Sequence, residues 1–167
     1  MGLLHLQVAQ SMGARVFVSD PDGRRLAVAT KLGASVVIDP SKEDVKEAVR
    51  SKTDGVGVDA CVVTSPAQAA LSSGMSALAK GGRLNIYTSY LEEVAVPIDA
   101  NTIHRNESLI TGSEGRTQAD FHQAVNLISF GRVDVKPLIS QVVTFKTINE
   151  GMEAAMSPET LRVLLEQ

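Results

Sequence analysis

Residues 13–34, GARVFVSDPDGRRLAVATKLGA, contain the pattern that decides the fold. The apolar run from Arg15 to Ser19 lies between a glycine and an Asp-Pro pair, which predicts a short buried strand. Asp20 follows at the carboxyl end of this strand, the edge at which open α/β sheets bind their ligands. Its carboxylate can accept hydrogen bonds from both hydroxyls of a ribose, and Arg25, one turn into the next helix, can close over the same sugar. Asp20 is equally suited to cap that helix, with Pro21 near the first helical position, and the two roles are compatible.

The rest of the chain continues the alternation of strands and helices. A helix over Met1–Met12 comes first, and a capping box at Ser41 and Asp44 predicts the start of a later one. Strands are predicted at Ser35–Asp39, Val58–Thr64, Arg83–Tyr87, Leu109–Ser113, Gln141–Phe145 and Leu161–Leu165, with a short extension at Val94–Ile98. Of these, Val58–Thr64 has the pattern of a buried strand, whereas Gln141–Phe145 alternates like an edge strand. Strands and helices in this order predict an α/β fold with a doubly wound, mostly parallel sheet. The length of 167 residues predicts one domain, residues 1–167.

Composition narrows the class of function. The formal net charge is -3 and no basic block or aromatic platform is present, so nucleic acid is not an expected partner. No apolar stretch is long enough to cross a bilayer, and the first residues lack the features of a signal peptide, which predicts no membrane partner and a cytoplasmic location. The single cysteine, Cys61, excludes an intramolecular disulfide and a multi-cysteine zinc site.

The histidines give no sign of a metal or catalytic centre. His5, His104 and His122 are too far apart in sequence to form a metal-ligand motif, and all three are predicted to be structural. The nucleophile motif Gly-x-Ser-x-Gly is absent, so a hydrolase has no support. Neither catalytic residues nor metal ligands are therefore predicted in this chain.

Several short motifs, in order, resemble the cofactor-binding half of the medium-chain, zinc-dependent alcohol and polyol dehydrogenases. They are Val-Ser-Asp with Arg25, Lys31–Ala34, Gly57–Asp59, Gly81–Arg83 and Ile148–Gly151. In that family a Gly-x-Gly-Pro sequence would precede Met1, and Gly2 would be the third glycine of the dinucleotide motif, which permits close helix–strand packing. The resemblance implies a Rossmann-type sheet without its usual first strand. It also implies that residues 1–167 are the dinucleotide-binding domain of a larger two-domain enzyme.

The resemblance also assigns roles to residues. Asp20 and Arg25 would hold the adenosine ribose of NAD. The remaining assignments are Met1, Gly2 and Arg162 near the pyrophosphate, Thr64 and Ser65 near the nicotinamide ribose, and Tyr87 and Ser113 near the nicotinamide. Where the family usually has glycine after the strand ending at Tyr87, this chain has Thr88.

The function implied is hydride transfer between an alcohol or polyol and the nicotinamide of NAD in the full enzyme. Zinc would belong to the catalytic domain outside this chain, and the chain alone would be inactive. Two other classes stay open: a non-catalytic nucleotide-sensing domain on the same sheet, and, with less support, a methyltransferase-like domain. Asp20 predicts a preference for NAD over NADP, because its carboxylate would meet the 2′-phosphate of NADP. Arg24 and Arg25 argue the other way, since they could neutralise that phosphate.

Two structural expectations follow from the resemblance. An edge strand, at Val94–Ile98 or Leu109–Ser113, would pair with its twin in a homodimer. The strands ending at Asp20 and Thr64 would both lack their usual neighbour, leaving backbone groups unpaired at a cost of about 1–3 kcal/mol each. We therefore expect these strands to close on each other or to be joined by a segment of another chain.

Overall fold

The computed structural model describes residues 1–90, 95 and 98–167. Apart from residues 95 and 98, the extension predicted from Val94 to Ile98 lies outside the described residues. Within the described residues the chain forms two compact units, 1–121 and 122–167.

Helices and strands alternate along the first unit, as predicted except for the helix at Ala100–Asn106, which the sequence analysis missed. The elements are α1 (Gly2–Ser11), β1 (Phe17–Ser19), α2 (Gly23–Lys31), β2 (Val36–Ile38), α3 (Val45–Ser51), β3 (Val58–Val63), α4 (Gln68–Ala77), β4 (Leu78–Ile86), α5 (Ala100–Asn106), β5 (Leu109–Gly112) and the start of α6 (Gln118–Ser129).

In the described part of the first unit, the paired strands are all parallel. β1 pairs with β2, with Val18 opposite Val37, and β4 lies between β3 and β5, with Leu84 opposite Cys61 and Ile110. The predicted α/β class with a parallel sheet is confirmed.

β1 and β3 do not close on each other. In the described residues they belong to two separate sheets. Helix α1 contacts both strands, and a buried cluster of Ile38, Val49 and Ala77 packs against Phe17 of β1 and Val58 of β3. These contacts hold the two strands in place without direct pairing, so the expectation that they close on each other is wrong. Pairing with a segment of another chain stays a prediction.

Caps and turns place three element boundaries differently from the predictions. Asp22, not Asp20, is the N-cap of α2, and its side chain accepts a hydrogen bond from the Arg24 amide. Asp44 alone caps α3, because the Ser41 hydroxyl donates to Asp39 instead. β4 begins at Leu78, five residues before the predicted start, and its register with β3 shifts between Val58 and Ala60.

The core of the first unit lies between the three-stranded sheet and α4. Val63, Leu71, Leu78 and Leu84 form one buried cluster, with Cys61 packed against it. On α1 the most buried apolar residue is Leu6, whereas Met12 is 83% exposed.

The second unit contains the rest of α6, two short 3-10 turns and a parallel pair of strands. Its remaining elements are β6 (Gln141–Thr144), α7 (Ile148–Met156) and β7 (Val163–Glu166). A Cβ on Gly151 of α7 would lie 2.6 Å from a methyl carbon of Val143, so the missing side chain lets α7 pack directly on β6.

Candidate functional site

Three predicted site residues lie side by side where the three-stranded sheet ends. Thr64, Tyr87 and Ser113 each follow the last residue of their strand, β3, β4 and β5 respectively. The Tyr87 amide donates to the Val63 carbonyl at 2.9 Å, and the Ser113 amide donates to the carbonyl of Ile86 at 3.3 Å. Because the strands are parallel, these side chains share the carboxyl edge, where α/β sheets bind ligands.

The N-terminus of α1 adds Met1 and Gly2 to this edge. A Cβ on Gly2 would lie 3.4 Å from Thr64 Oγ1, and the His5 ring meets the Tyr87 ring edge-to-face with centroids 4.5 Å apart. No side chain caps the start of α1, and its first turn contains no acidic residue. The amides of this turn and the positive end of the helix dipole therefore favour an anion such as a pyrophosphate.

The direction of α1 connects this edge to Asp20. At the far end of the helix, Gln10 Nε2 donates to the carbonyl of Gly33, shortly before β2 begins. Because α1 starts beside the end of β3 and finishes beside the start of β2, both sheets end on the same side of the unit. Asp20, at the carboxyl end of β1, therefore belongs to the same edge as Thr64, as predicted.

Asp20 is held in a tight turn. Its Oδ1 accepts a hydrogen bond from the Asp22 amide at 2.9 Å, and its own amide donates to the Ile38 carbonyl at 3.2 Å. Arg25 Nη1 lies 3.7 Å from Asp20 Oδ2, so the predicted pair is together. About a quarter of the Asp20 side chain is exposed, which leaves oxygen lone pairs available to a diol.

Asp22 is a further acidic group of this turn, to which the sequence analysis assigned no role. Its carboxylate accepts two hydrogen bonds from the Arg24 guanidinium, Nε to Oδ1 at 3.2 Å and Nη2 to Oδ2 at 3.0 Å. Arg25 Nε lies 3.9 Å from Asp22 Oδ2. The side-chain hydrogen bond from Arg24 is the main cause that lowers the pKa of Asp22, so Asp22 is charged at neutral pH.

Ser65 and Arg162 are the remaining predicted residues. Ser65 follows Thr64, and its hydroxyl accepts a hydrogen bond from the Ala67 amide at 3.3 Å. Arg162 belongs to the second unit, where its carbonyl accepts a hydrogen bond from the Ser140 amide shortly before β7 begins.

Two further side chains at the sheet edge were not predicted as part of the site. His5, expected to be structural, contacts Tyr87, and its Nδ1 lies 3.2 Å from the Met1 carbonyl. Asn85 and Ser113 exchange side-chain hydrogen bonds at 3.2 and 3.3 Å. His5 could have been found by noting that it lies one turn from Gly2 on the first helix; Asn85 gave no signal in the sequence.

Among the described residues, no group of three or more His, Cys, Asp or Glu side chains could hold a metal ion. Cys61 lies in β3, and burial raises the pKa of its thiol to about 11, so it is not a ready nucleophile. No helix of the described residues has the length and apolar character that crossing a membrane requires.

The arrangement fits a dinucleotide. The Asp20 turn offers a carboxylate to a ribose diol, and α1 offers amide donors to phosphates, at the same edge of the sheet. The aromatic ring of Tyr87 lies against His5 of the same helix. The class of protein that this fold and site define is a Rossmann-type dinucleotide-binding domain.

Comparison with known proteins gives the family. The profile of the zinc-binding dehydrogenase family matches residues 1–129. D-arabitol-phosphate dehydrogenase of Enterococcus avium is 30% identical over 99% of this chain, and an L-threonine 3-dehydrogenase of Caldanaerobacter subterraneus is also 30% identical over 99% of it. A dehydrogenase-type protein of Sinorhizobium meliloti, solved with NADP, matches 99% of this chain with a TM-score of 0.90 and 22% identity.

The chain belongs to the zinc-binding dehydrogenase family. It corresponds to the NAD(P)-binding domain of that family, as the resemblance in the sequence implied. The matches cover 47% of the arabitol-phosphate enzyme, 48% of the threonine enzyme and 49% of the Sinorhizobium protein, so the chain spans about half the length of the relatives it matches.

Proposed function

We propose that this chain is the NAD-binding domain of a zinc-dependent alcohol or polyol dehydrogenase. The observation that supports this most directly is the shared carboxyl edge of the strands. The start of α1, which no side chain caps, lies there beside Thr64 and Tyr87, and Asp20 follows the end of β1. Residues 1–167 act as one binding domain; the family match supports this, because it continues beyond residue 121, where the first compact unit ends.

In the bound state, the residues of the first unit have roles that their positions support, and Arg162 has the role that the family resemblance implies. Asp20 accepts the hydroxyls of the adenosine ribose, with Arg25 beside it. The amides of Met1 and Gly2 bind the pyrophosphate, and Thr64 and Ser65 contact the nicotinamide ribose. Tyr87 and Ser113 line the nicotinamide position, and Arg162 supplies a cation to the pyrophosphate.

The whole protein transfers a hydride between a small alcohol or polyol and the nicotinamide. Residues outside this chain would hold the zinc, which would supply Lewis-acid chemistry at the substrate oxygen. The residues of this chain bind and orient the cofactor. An alcohol or polyol substrate is supported by the arabitol-phosphate and threonine dehydrogenases, each 30% identical to this chain.

NAD is preferred over NADP because of Asp20. Its carboxylate can accept a hydrogen bond from the ribose 2′-hydroxyl but repels a 2′-phosphate. A hydrogen bond to a charged group contributes about 1.5–3 kcal/mol, so Asp20→Ala is expected to weaken NADH binding roughly tenfold to a hundredfold. The Sinorhizobium protein of the same fold was solved with NADP, so the preference of this chain for NAD is expected to depend on its own residues at this turn.

Isothermal titration calorimetry tests the proposal. The protein is titrated separately with NADH, NADPH, S-adenosylmethionine and AMP, and Asp20→Ala is titrated with NADH. Tightest binding of NADH, reduced in the variant, is the expected result. Tighter binding of S-adenosylmethionine or of AMP would favour the methyltransferase-like or the nucleotide-sensing class, and tighter binding of NADPH would overturn the preference.

The same proposal includes a homodimer formed along β5. Leu109 is 51% exposed, and in the described residues β5 pairs on one side only, with β4. Pairing of β5 with its twin would continue the sheet and protect an edge that otherwise invites aggregation. Light scattering at micromolar concentration measures this directly: a dimer mass is expected, and a monomer mass contradicts it. A cytoplasmic location stays a prediction from the sequence.

A further inference from the structure

The turn between β1 and α2 holds two acidic and two basic side chains. Asp20 and Asp22 alternate with Pro21 and Gly23, and Arg24 and Arg25 follow. Formally the four charges cancel, so the turn as a whole has no excess positive charge for a phosphate. What distinguishes the two arginines is how closely each is bound to a carboxylate.

Arg24 is bound to Asp22 at both ends of its guanidinium. Nε and Nη2 reach the two carboxylate oxygens at 3.2 and 3.0 Å, the two-pronged geometry in which arginine binds carboxylates and phosphates best. Arg25 lies farther from both acids, 3.7 Å from Asp20 and 3.9 Å from Asp22. The donors of Arg24 that would suit a phosphate are therefore already engaged by a neighbour.

We propose that Asp22 is a positioning residue that sets the cofactor preference of this site by holding Arg24 away from the ribose 2′-position. This rests on the proposed function, because it concerns the same dinucleotide site. Asp20 disfavours a 2′-phosphate by direct electrostatic repulsion. Asp22 disfavours it indirectly, because it binds Arg24, a cation that could otherwise neutralise the phosphate.

The role of Asp22 in binding Arg24 is separable from its role as helix cap. As N-cap, Asp22 Oδ1 accepts the Arg24 amide at 2.8 Å, and a serine hydroxyl can do the same with little loss of stability. Serine has no charge and cannot bind a guanidinium at two points. Asp22→Ser therefore keeps the start of α2 and removes the two-point ion pair with Arg24, whose side chain is 58% exposed.

The experiment measures dissociation constants of NADH and NADPH by fluorescence for the full protein and its variants. In Asp22→Ser the ratio of the two constants is expected to shift about tenfold toward NADPH, the effect of one added charge-assisted hydrogen bond. In Asp22→Ser with Arg24→Ala the shift is expected to disappear. Arg24→Ala alone is expected to leave NADPH binding as it is, because Arg24 is engaged by Asp22.

Asp44 provides the matched control. It also caps a helix, α3, by accepting the Glu47 amide at 2.9 Å, but no described ion pair joins it to an arginine. Asp44→Ser therefore reports what a lost aspartate cap does, and the ratio of NADH to NADPH binding should not move. If Asp22→Ser fails to fold, Asp22→Asn, which keeps an oxygen for the cap, replaces it.

The possible outcomes distinguish a failure of the proposed function from a failure of the role of Asp22 alone. Unaltered protein that binds neither dinucleotide overturns the proposed function, and this inference with it. Unaltered protein that binds NADH, with an unchanged ratio in Asp22→Ser, overturns the inference alone. The inference is also wrong if Arg24→Ala by itself weakens NADPH as strongly as it does in the Asp22→Ser background.

Discussion

Gly57, in the turn before β3, is the position where a single methyl group should cost the most. Its φ is +104°, a backbone conformation that side chains rarely adopt, and its amide donates to Thr53 Oγ1. A Cβ there would lie 2.7 Å from the Ala77 carbonyl oxygen, 2.8 Å from the Ala79 nitrogen and 2.9 Å from the Leu78 carbonyl carbon. These are backbone atoms at the junction of α4 and β4, which cannot rotate away as a side chain could.

The magnitude has two parts. The unfavourable φ costs about 1–2 kcal/mol, and crowding against a fixed backbone costs about 1–3 kcal/mol more. Gly57→Ala is therefore expected to lower the free energy of unfolding by about 2–5 kcal/mol, a large share of the roughly 5–15 kcal/mol typical of a domain.

Gly55 supplies the control for this experiment. Its φ is +82°, but a Cβ there would meet nothing within 4 Å. Gly55→Ala therefore has only the energetic cost of the unfavourable φ. Both variants replace glycine with alanine, so they reduce the conformational entropy of the unfolded chain equally. Urea unfolding followed by circular dichroism should show Gly57→Ala less stable than Gly55→Ala by about 1–3 kcal/mol. Equal midpoints for the two variants would refute the reasoning, because the close approach to Ala77 would then have no energetic consequence.

Three further predictions concern other parts of the chain. Burial raises the pKa of Cys61 to about 11, so iodoacetamide at pH 8 should modify it slowly in the folded protein and quickly in urea; equal rates would contradict its burial. Hydrogen bonds from Lys42, and then from the side chain and amide of Ser41, lower the pKa of Asp39 to about 2. The contribution of the Asp39 carboxylate to folding stability is therefore present above pH 4 and lost as the pH falls toward 2. Lys42→Met should raise that pKa in a carboxyl titration by NMR. Gly151→Ala should destabilise the second unit by about 1–3 kcal/mol in thermal unfolding, because the new methyl would meet Val143.

The order of elements could be predicted from the sequence because each strand is an apolar run bounded by turn residues. Asp20 was placed correctly at a strand end for the same reason: the Asp-Pro pair fixes where β1 stops. The family resemblance was confirmed as well, although each motif is short, because the motifs occur in the right order.

Boundaries that depend on competition between neighbouring polar groups could not be predicted. Both Asp20 and Asp22 can cap a helix, and only the three-dimensional turn decides that Asp22 does so while Asp20 accepts the Asp22 amide. The early start of β4 has a similar cause. Lys80-Gly81-Gly82 has the composition of a turn, yet these residues continue the strand, with Gly81 at a φ of +74° where the register with β3 shifts.

The side-chain partners within the site were also beyond the sequence, because they join distant parts of the chain. His5 reaches Tyr87 only because α1 runs antiparallel to the strands and starts at their carboxyl edge. That one placement determines the chemistry of the whole edge. The backbone amides at the start of α1, a turn with no acidic side chain, lie beside Thr64. The carboxylates of Asp20 and Asp22 lie after the end of β1 instead. Anion-binding and diol-binding groups are thereby separated along one edge, which is the charge pattern of a dinucleotide: phosphates in the middle and a ribose at the end. Under the proposed function, we therefore expect substitutions in the turn at Asp20 and Asp22 to change the preference between NAD and NADP without altering the fold.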